Sequence, residues 1–332
     1  MKFLNVLMAS VFLVAPALAQ DKLTEVTILF PGTGTVTNFP LDVAMNEGYF
    51  AEEGLSVKAE AVDGSAAVLQ AIISGQADMG AAGIGPVLNA RARGEDVIFF
   101  YNHNVRSTMG IAVKADAGVD SVEGLRGKVI GVGTPDGSEV AFARSALQEA
   151  GLTENVDYTF LPVGPGGLAA AAFLRGDIDA YVGTRVDAAT LTSKGVVLKD
   201  VTPEKYLSFF GNGYVTTEAF IAEHPEVIEG FGRAYVRASE WGILPENKDA
   251  VLAYSALRNP LEGSDKVYAG NLYEESKSRI VPIDRTTWGM HHKDEWDAWR
   301  ESLIASGSLN DPSIDVHQAY TNQFIEAWNT PK

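Results

Sequence analysis

Five short segments hold the residue types that could do chemistry. They are Thr33, Thr35, Asn38 and Phe39; Gly64 and Ser65; Gly83 and Ile84; Thr134, Asp136 and Ser138; and Thr184 with Arg185. Each follows a short apolar run and precedes a stretch of helical character. In open αβ sheets such loops gather beyond the carboxyl ends of the strands, where helix N-termini present unpaired amides. Together they supply hydroxyls, amides and one cation. Arg185 offers a planar fork that grips a carboxylate, sulfonate or phosphate through two parallel hydrogen bonds. Phe39 offers a ring face for stacking a heteroaromatic group. No hydroxyl comes with a base to activate it, so the set describes a cleft for a small polar or anionic ligand. Ser65 and Ser138 also stand where helix caps belong, a role compatible with ligand contact.

Other chemistry finds little support. The five histidines (103, 224, 291, 292, 317) fit no H-E-x-x-H pattern, and there is no G-x-S-x-G elbow. His291-His292 with Asp294 reads as a solvated turn. Gly131-Val132-Gly133 follows a strand, yet the acidic partner that a dinucleotide ribose requires is not evident. No catalytic residue, metal or cofactor is expected. For Arg185 the competing role is a surface ion pair, with Asp187 as the nearest carboxylate in sequence.

The N-terminus reads MKFLNVLMASVFLVAPALA. One lysine, an apolar run and a small-x-small end at Ala17-Leu18-Ala19 make a signal peptide over residues 1–19, too short to span a membrane. The chain contains no cysteine, which removes disulfides, thiolate metal sites and a lipidated cysteine. Export without an anchor or disulfides points to a bacterial periplasm, with no insertion into the membrane. The formal charge of −17 repels nucleic acid and anionic lipid. At 332 residues the chain exceeds what one compact core usually spans.

An internal repeat organises the elements. Gly75, Asp78 and Gly94 recur 101 residues later as Gly176, Asp179 and Gly195. Each copy reads apolar helix, Gly-x-x-Asp, apolar strand, small-residue turn, helix. A duplicated αβ module implies two sheets and a cleft between them; one long doubly wound sheet is the alternative. Strands are expected at Val26–Phe30, Leu55–Ala61, Met79–Ala82, Val97–Tyr101, Met109–Val113, Val129–Val132 and Tyr158–Val163. After Pro225 the chain reads as helices only. Val227, Phe231, Ala234, Tyr235, Ala238 and Trp241 share one stripe. Trp296, Trp299, Leu303 and Ile304 share a face, as do Tyr320, Phe324 and Trp328. All five tryptophans lie in this tail and are expected in its core. The tail is expected to return and cover the first lobe. Lobe I is then 20–110 with 212–332, and lobe II is 111–211, joined by crossings near Arg106–Ile111 and Asn212–Val215.

FPLDVAMNEGYFAEEGLSV resembles the A-x-x-x-G-Y-F-x-x-E-G-L-x-V signature of nitrate, sulfonate and taurine solute-binding proteins, a group that includes binders of thiamine pyrimidine precursors. Ala44, Gly48, Tyr49, Phe50, Glu53, Gly54, Leu55 and Val57 carry the match. AIISGQADMG, LRGDIDAYVG, SVEGLRGKVIGV and HPEVIEGFGRAYVRASEW resemble later elements of the same family, so the resemblance covers most of the chain beyond residue 19. It implies an α/β type II periplasmic-binding-protein fold: two αβ lobes, two hinge strands and a ligand cleft between them. It also implies a binding subunit, expected to be a monomer, that passes a small-molecule ligand to the inner-membrane permease of an ABC importer. Gly183-Thr184-Arg185 departs from the aromatic or acidic residue often found there, so ligand identity does not carry over. Small sulfonate, nitrate-like and carboxylate anions, and a heteroaromatic ring on Phe39, all stay open. Two other functions also stay open: an enzyme on this fold, as in pyrimidine-precursor synthesis or dehydratase-like relatives, and a ligand-sensing partner of a membrane receptor.

The leader yields the first prediction. N-terminal sequencing of the soluble protein from an exporting host should begin at Gln20; an intact Met1 in that fraction refutes the cleavage.

Overall fold

The structure, a computed structural model, describes residues 23–330 apart from 136 and 208. The expected leader and Asp136 therefore lie outside the described residues, and the Ser138 side chain is not described. Among the described residues the strands are β1 (Thr24–Phe30), β2 (Leu55–Ala61), β3 (Met79–Ala82), β4 (Ile98–Tyr101), β5 (Met109–Lys114), β6 (Lys128–Val132), β7 (Tyr158–Pro162), β8 (Ala180–Thr184), β9 (Leu198–Asp200) and β10 (Gly213–Thr216). They form two sheets of five, ordered β2-β1-β3-β10-β4 and β7-β6-β8-β5-β9. This is the two-lobed α/β fold; a single doubly wound sheet is excluded.

The sheets repeat one plan. Three parallel strands pair in the same relative order, β2-β1-β3 and β7-β6-β8. An antiparallel strand then joins the third, β10 beside β3 and β5 beside β8. The repeated Gly-x-x-Asp explains the match. Gly75 (φ 71°) and Gly176 (φ 81°) end their helices in the left-handed region. The following aspartates then reach the neighbouring parallel strand: Asp78 Oδ2 accepts the Thr27 amide at 2.7 Å, and Asp179 Oδ2 accepts the Val129 amide at 3.0 Å. Val26, Ile28 and Phe30 of β1 are buried on one face, as period-two alternation requires.

The crossings sit differently from expectation. Met109–Lys114 is wholly a strand of the second sheet and Gly213–Thr216 wholly a strand of the first. The chain passes between sheets in the segments 102–108 and 201–212. These are held side by side by Asn104 N–H to Asn212 O (3.2 Å) and Gly211 N–H to Asn104 O (2.7 Å).

The helical tail covers the first sheet and also reaches the second. Helix Pro225–Gly242 buries Val227, Phe231, Ala234, Tyr235 and Ala238, and Phe231 stacks on Phe50 at 5.6 Å. Helix Lys293–Ala305 packs on helix Ser138–Glu149 of the second lobe, where the Ser145 hydroxyl donates to Ser302 O at 2.9 Å. The tail, expected to cover lobe I, thus reaches lobe II as well. Four tryptophans (288, 296, 299, 328) are buried; Trp241 is half-buried against Tyr254. Ile304, expected on the inner face, is 36% exposed. Tyr320 stacks on Trp296 at 5.1 Å rather than on the helix Ile325–Asn329 that carries Trp328, because the chain is not helical between them.

Trp328 sets a packing limit. Its indole lies against Gly232 and donates to Ile228 O at 3.2 Å. A Cβ on Gly232 would fall inside that indole, whereas one on Gly167 meets nothing within 4 Å. Gly232→Ala is expected to destabilise by about 1–3 kcal/mol through overpacking, and Gly167→Ala to be neutral or stabilising by up to about 1 kcal/mol. Urea unfolding of both variants checks the contrast; equal midpoints would contradict it.

Candidate functional site

The loops after the parallel strands of the two sheets face one another across the crossings. Between them lies a cavity of about 270 Å³, lined by Gly83, Ile84 and Pro86 from the first lobe and by Pro135, Gly137 and Arg144 from the second. Thr108, Asn212 and Trp299 complete its wall. A second cavity of about 530 Å³ runs along the flank of β5 and β8, bounded by Thr184, Arg185 and Asp200 of lobe II and by Tyr268, Asn271 and Glu275 of helix Lys266–Ile280.

A hydrogen-bond relay anchors the first crossing beneath the loop that follows β1. The carbonyl of Thr37 only accepts, so His103 donates to it from Nε2 at 3.1 Å. His103 Nδ1 then accepts from the Tyr235 hydroxyl at 3.0 Å, which accepts from the Tyr214 hydroxyl at 3.1 Å. Burial lowers the His103 pKa to about 4, with the Thr37 carbonyl opposing, so the ring is neutral. The relay ties the segment between the lobes to the helix Pro225–Gly242 core.

The expected site residues divide into groups. Ser65 and Gly83 meet: the Gly83 amide donates to the Ser65 hydroxyl at 3.2 Å, and the Asn212 side chain lies beside Gly83. Gly64 opens the helix Gly64–Ile73. Ser65 is inside that helix, whose cap position is Asp63, so the expected serine cap is corrected. Helix Ser138–Glu149 is likewise preceded by Gly137, and Ser138 is its first residue rather than its cap. Ile84 is buried yet borders the smaller cavity. Thr134 is exposed and its amide donates to Glu139 Oε1 at 3.1 Å. Asn38 is half-buried and its amide group donates to Gly34 O at 3.2 Å. Thr33 is exposed, and its carbonyl accepts from Asn259 Nδ2 at 2.8 Å.

Three expectations are corrected outright. Phe39 is 0% exposed and packs on Tyr273 at 5.4 Å, so its ring is not a platform for a ligand. Phe39 is the first residue of helix Phe39–Asn46, and its ring lies in the core. Thr35 is 1% exposed, and both its amide (2.7 Å) and its hydroxyl (2.6 Å) donate to Glu262 Oε2. Arg185 is not a free cation: Nη2 lies 3.3 Å from Asp200 Oδ2, the side chains being 25% and 36% exposed. Asp187, the nearer carboxylate in sequence, instead closes a capping box with Thr184. A partly exposed ion pair of this kind contributes under about 1 kcal/mol, and Arg185 Nε is buried without a partner.

Asn212, Trp299, Arg144, Glu262 and His103 went unnoticed in the sequence as site residues. Only Asn212 carried a local signal, as a polar residue between glycines next to a strand. The others reach the site through contacts that no local pattern announces.

The neutral His103 gives a pH prediction. Its folded pKa, about 4, lies below the ordinary 6.5. The unfolded chain therefore binds the proton first, and stability is lost as pH falls through that window. His103 contributes up to about 1.4 kcal/mol per pH unit there. His103→Asn, which keeps a donor and an acceptor, should flatten the parent's dependence by about that slope in urea unfolding at stepped pH. An unchanged slope would show that His103 is charged or exposed.

Comparison with known proteins agrees with this geometry. The chain is 27% identical over 316 residues to a riboflavin-binding protein, RibY, of Chloroflexus aurantiacus, covering 92% of this chain and 88% of the relative. It is 29% identical over 259 residues to 4-amino-5-hydroxymethyl-2-methylpyrimidine phosphate synthase of Aspergillus parasiticus, covering 72% of each. Among solved structures it superposes on the alkanesulfonate-binding protein SsuA of Xanthomonas axonopodis pv. citri, bound to MOPS, with a TM-score of 0.67. That match spans 90% of this chain and 98% of the other at 18% identity, a likeness of fold. Residues 37–247, more than half of the chain, match the family described as NMT1/THI5 like, and the chain belongs to that family.

Proposed function

We propose that this protein is the solute-binding subunit of an ABC-type importer, exported to the periplasm. It captures a small organic solute between its two lobes and presents the closed form to a permease. The observation that carries this reading is the 270 Å³ cavity whose wall is shared by Gly83–Pro86 of one sheet's loops and Pro135–Gly137 of the other's, directly over the two crossings. A solute there touches both lobes, so it favours the arrangement that brings them together. The groups offered are hydroxyls, amides and side-chain amides, which orient a ligand. The relative named as riboflavin-binding supports capture of a solute.

The relative named as a pyrimidine phosphate synthase favours a second reading, an enzyme on this fold. Incubating the pure protein with a small-metabolite extract, and looking for newly formed 4-amino-5-hydroxymethyl-2-methylpyrimidine phosphate by mass spectrometry, separates the two. Turnover would replace the binding reading.

In the proposed cycle lobe II, about residues 111–211, moves as one body. Native mass spectrometry of protein purified without unfolding should show a retained solute. Small-angle scattering should then give a smaller radius of gyration with the solute than after its removal. An unchanged radius together with no retained mass counts against capture by closure.

A further inference from the structure

We infer that a compact oxyanion binds between Arg185 of lobe II and Arg279 of lobe I, at the edge of the larger cavity, and holds the two lobes together there. This site is separate from the smaller cavity and goes beyond the solute-binding reading; only its effect on closure rests on that reading.

Three guanidinium groups from three elements gather at this edge. Arg185 is the first residue of helix Arg185–Ser193 and borders the larger cavity. Arg279 lies in the last turn of helix Lys266–Ile280, one turn beyond Glu275, which borders the same cavity. Arg106 belongs to the first crossing, two residues before Thr108, whose carbonyl accepts the Arg185 amide at 2.9 Å. The three groups lie within electrostatic reach of one another. Burial lowers the Arg279 pKa from its ordinary value, and the positive charges of Arg185 and Arg106 lower it further, against the Glu275 carboxylate.

Two carboxylates serve these three cations, each through a single long contact. Asp200 Oδ2 lies 3.3 Å from Arg185 Nη2, and Glu275 Oε2 lies 3.3 Å from Arg279 Nη2. Arg106 is exposed and has no ion pair among the described residues. Asp265, the other carboxylate bordering the larger cavity, accepts the Val267 and Tyr268 amides at the opposite end of the helix from Arg279. Arg185 Nε and Arg279 Nε are both buried without a partner. A guanidinium presents its donors as a planar fork, which takes two parallel bonds from one oxyanion. A buried donor left unpaired is destabilising. Here the two such donors belong to like charges on different lobes, which oppose each other across the lobe boundary. An oxyanion between them supplies acceptors to both and replaces one repulsion with two attractions. Both side chains keep an accessible edge, being 25% and 15% exposed, so an anion can reach them. The ligand class is a small oxyanion with several acceptor oxygens: free sulfate or phosphate, or the terminal phosphate of an organic solute. The chain's formal charge of −17 exerts no general pull on anions, so binding here is a local property of the arginine cluster.

The test titrates sodium sulfate and sodium phosphate, each against sodium chloride at equal ionic strength, into the full chain, Arg279→Gln and Arg185→Gln. Calorimetry and thermal unfolding give the readout. The parent should bind sulfate or phosphate with a Kd below about 1 mM and melt at a higher temperature than in chloride. Each variant should bind at least about tenfold more weakly. Should a glutamine variant fail to fold, Arg279→Lys and Arg185→Lys keep the charge without the fork and are expected to weaken binding as well. Small-angle scattering of the parent should give a smaller radius of gyration in sulfate than in chloride, a change that Arg279→Gln should not show. Glycerol phosphate separates the two sources: binding tighter than inorganic phosphate assigns the site to the terminal group of an organic solute, and equal or weaker binding assigns it to the free ion. Absence of binding by the parent overturns the inference, as does binding that the folded variants retain in full. Binding with an unchanged radius overturns the bridge between the lobes. Failure to retain any solute in native mass spectrometry speaks against the proposed function alone, because sulfate binding is read without the natural ligand.

Discussion

One short contact, used twice, fixes the geometry on which everything else rests: the aspartate of each Gly-x-x-Asp segment grips the strand beside it. Asp78 accepts the Thr27 amide and returns its own amide to Thr27 O at 3.1 Å; Asp179 does the same with Val129, its amide reaching Val129 O at 2.8 Å. A carboxylate bonded to a backbone amide is a strong hydrogen bond. Placed at the entry of a strand, it pins the parallel register of β1 with β3 and of β6 with β8. A one-residue slip would turn the buried faces outward. With the register pinned, the carboxyl ends of the strands come level, and the loops that follow them form the two walls of one cleft. The glycine three residues earlier lets the preceding helix stop in time for the aspartate to reach.

This explains which parts of the molecule were legible in the sequence. The repeat, the β-branched runs and the glycine stops are local, so Leu55–Ala61 and Met79–Ala82 appear as strands at the expected residues. The two-lobed α/β fold follows from counting the repeat. The site was legible only as a set of loops. Whether a side chain on such a loop faces the cleft depends on where its helix starts, and Phe39, the first residue of its helix, has its ring in the core. Thr35 shows the other limit. Its partner Glu262 lies 227 residues away, brought in by the tail, and nothing near Thr35 signals that its donors are spoken for. Arg185 and Asp200 belong to the same limit, joined across the edge of the sheet.

The tail has a second consequence. Helix Lys293–Ala305 is apolar on more than one side. Trp296 faces Phe99 of the first sheet and Phe210 of the second crossing, at 5.4 and 5.1 Å. Trp299 stacks near Phe209 at 4.8 Å, donates to Phe210 O at 3.1 Å and borders the smaller cavity. The aromatic core therefore continues from lobe I through the crossings to lobe II, and the lobes are not two bodies on a bare string. Aromatic pairs at these separations each contribute about 0.5–1.5 kcal/mol beyond their buried area. Any relative motion of the lobes must pivot without exposing that core.

The crossings belong to the same packed body. The relay from Tyr214 through Tyr235 and His103 to Thr37 makes the first crossing part of the lobe I core up to residue 103. Beyond it, Asn104 is paired to Gly211 and Asn212 by backbone bonds. In the second crossing Phe209 and Phe210 are buried against Trp299 and Trp296, so both crossings carry core side chains. Thr108 and Asn212, one from each crossing, both border the smaller cavity. The surrounding loops are tied to the crossings: the Arg185 amide donates to Thr108 O at 2.9 Å, and the Asn212 side chain lies beside Gly83, whose amide donates to the Ser65 hydroxyl.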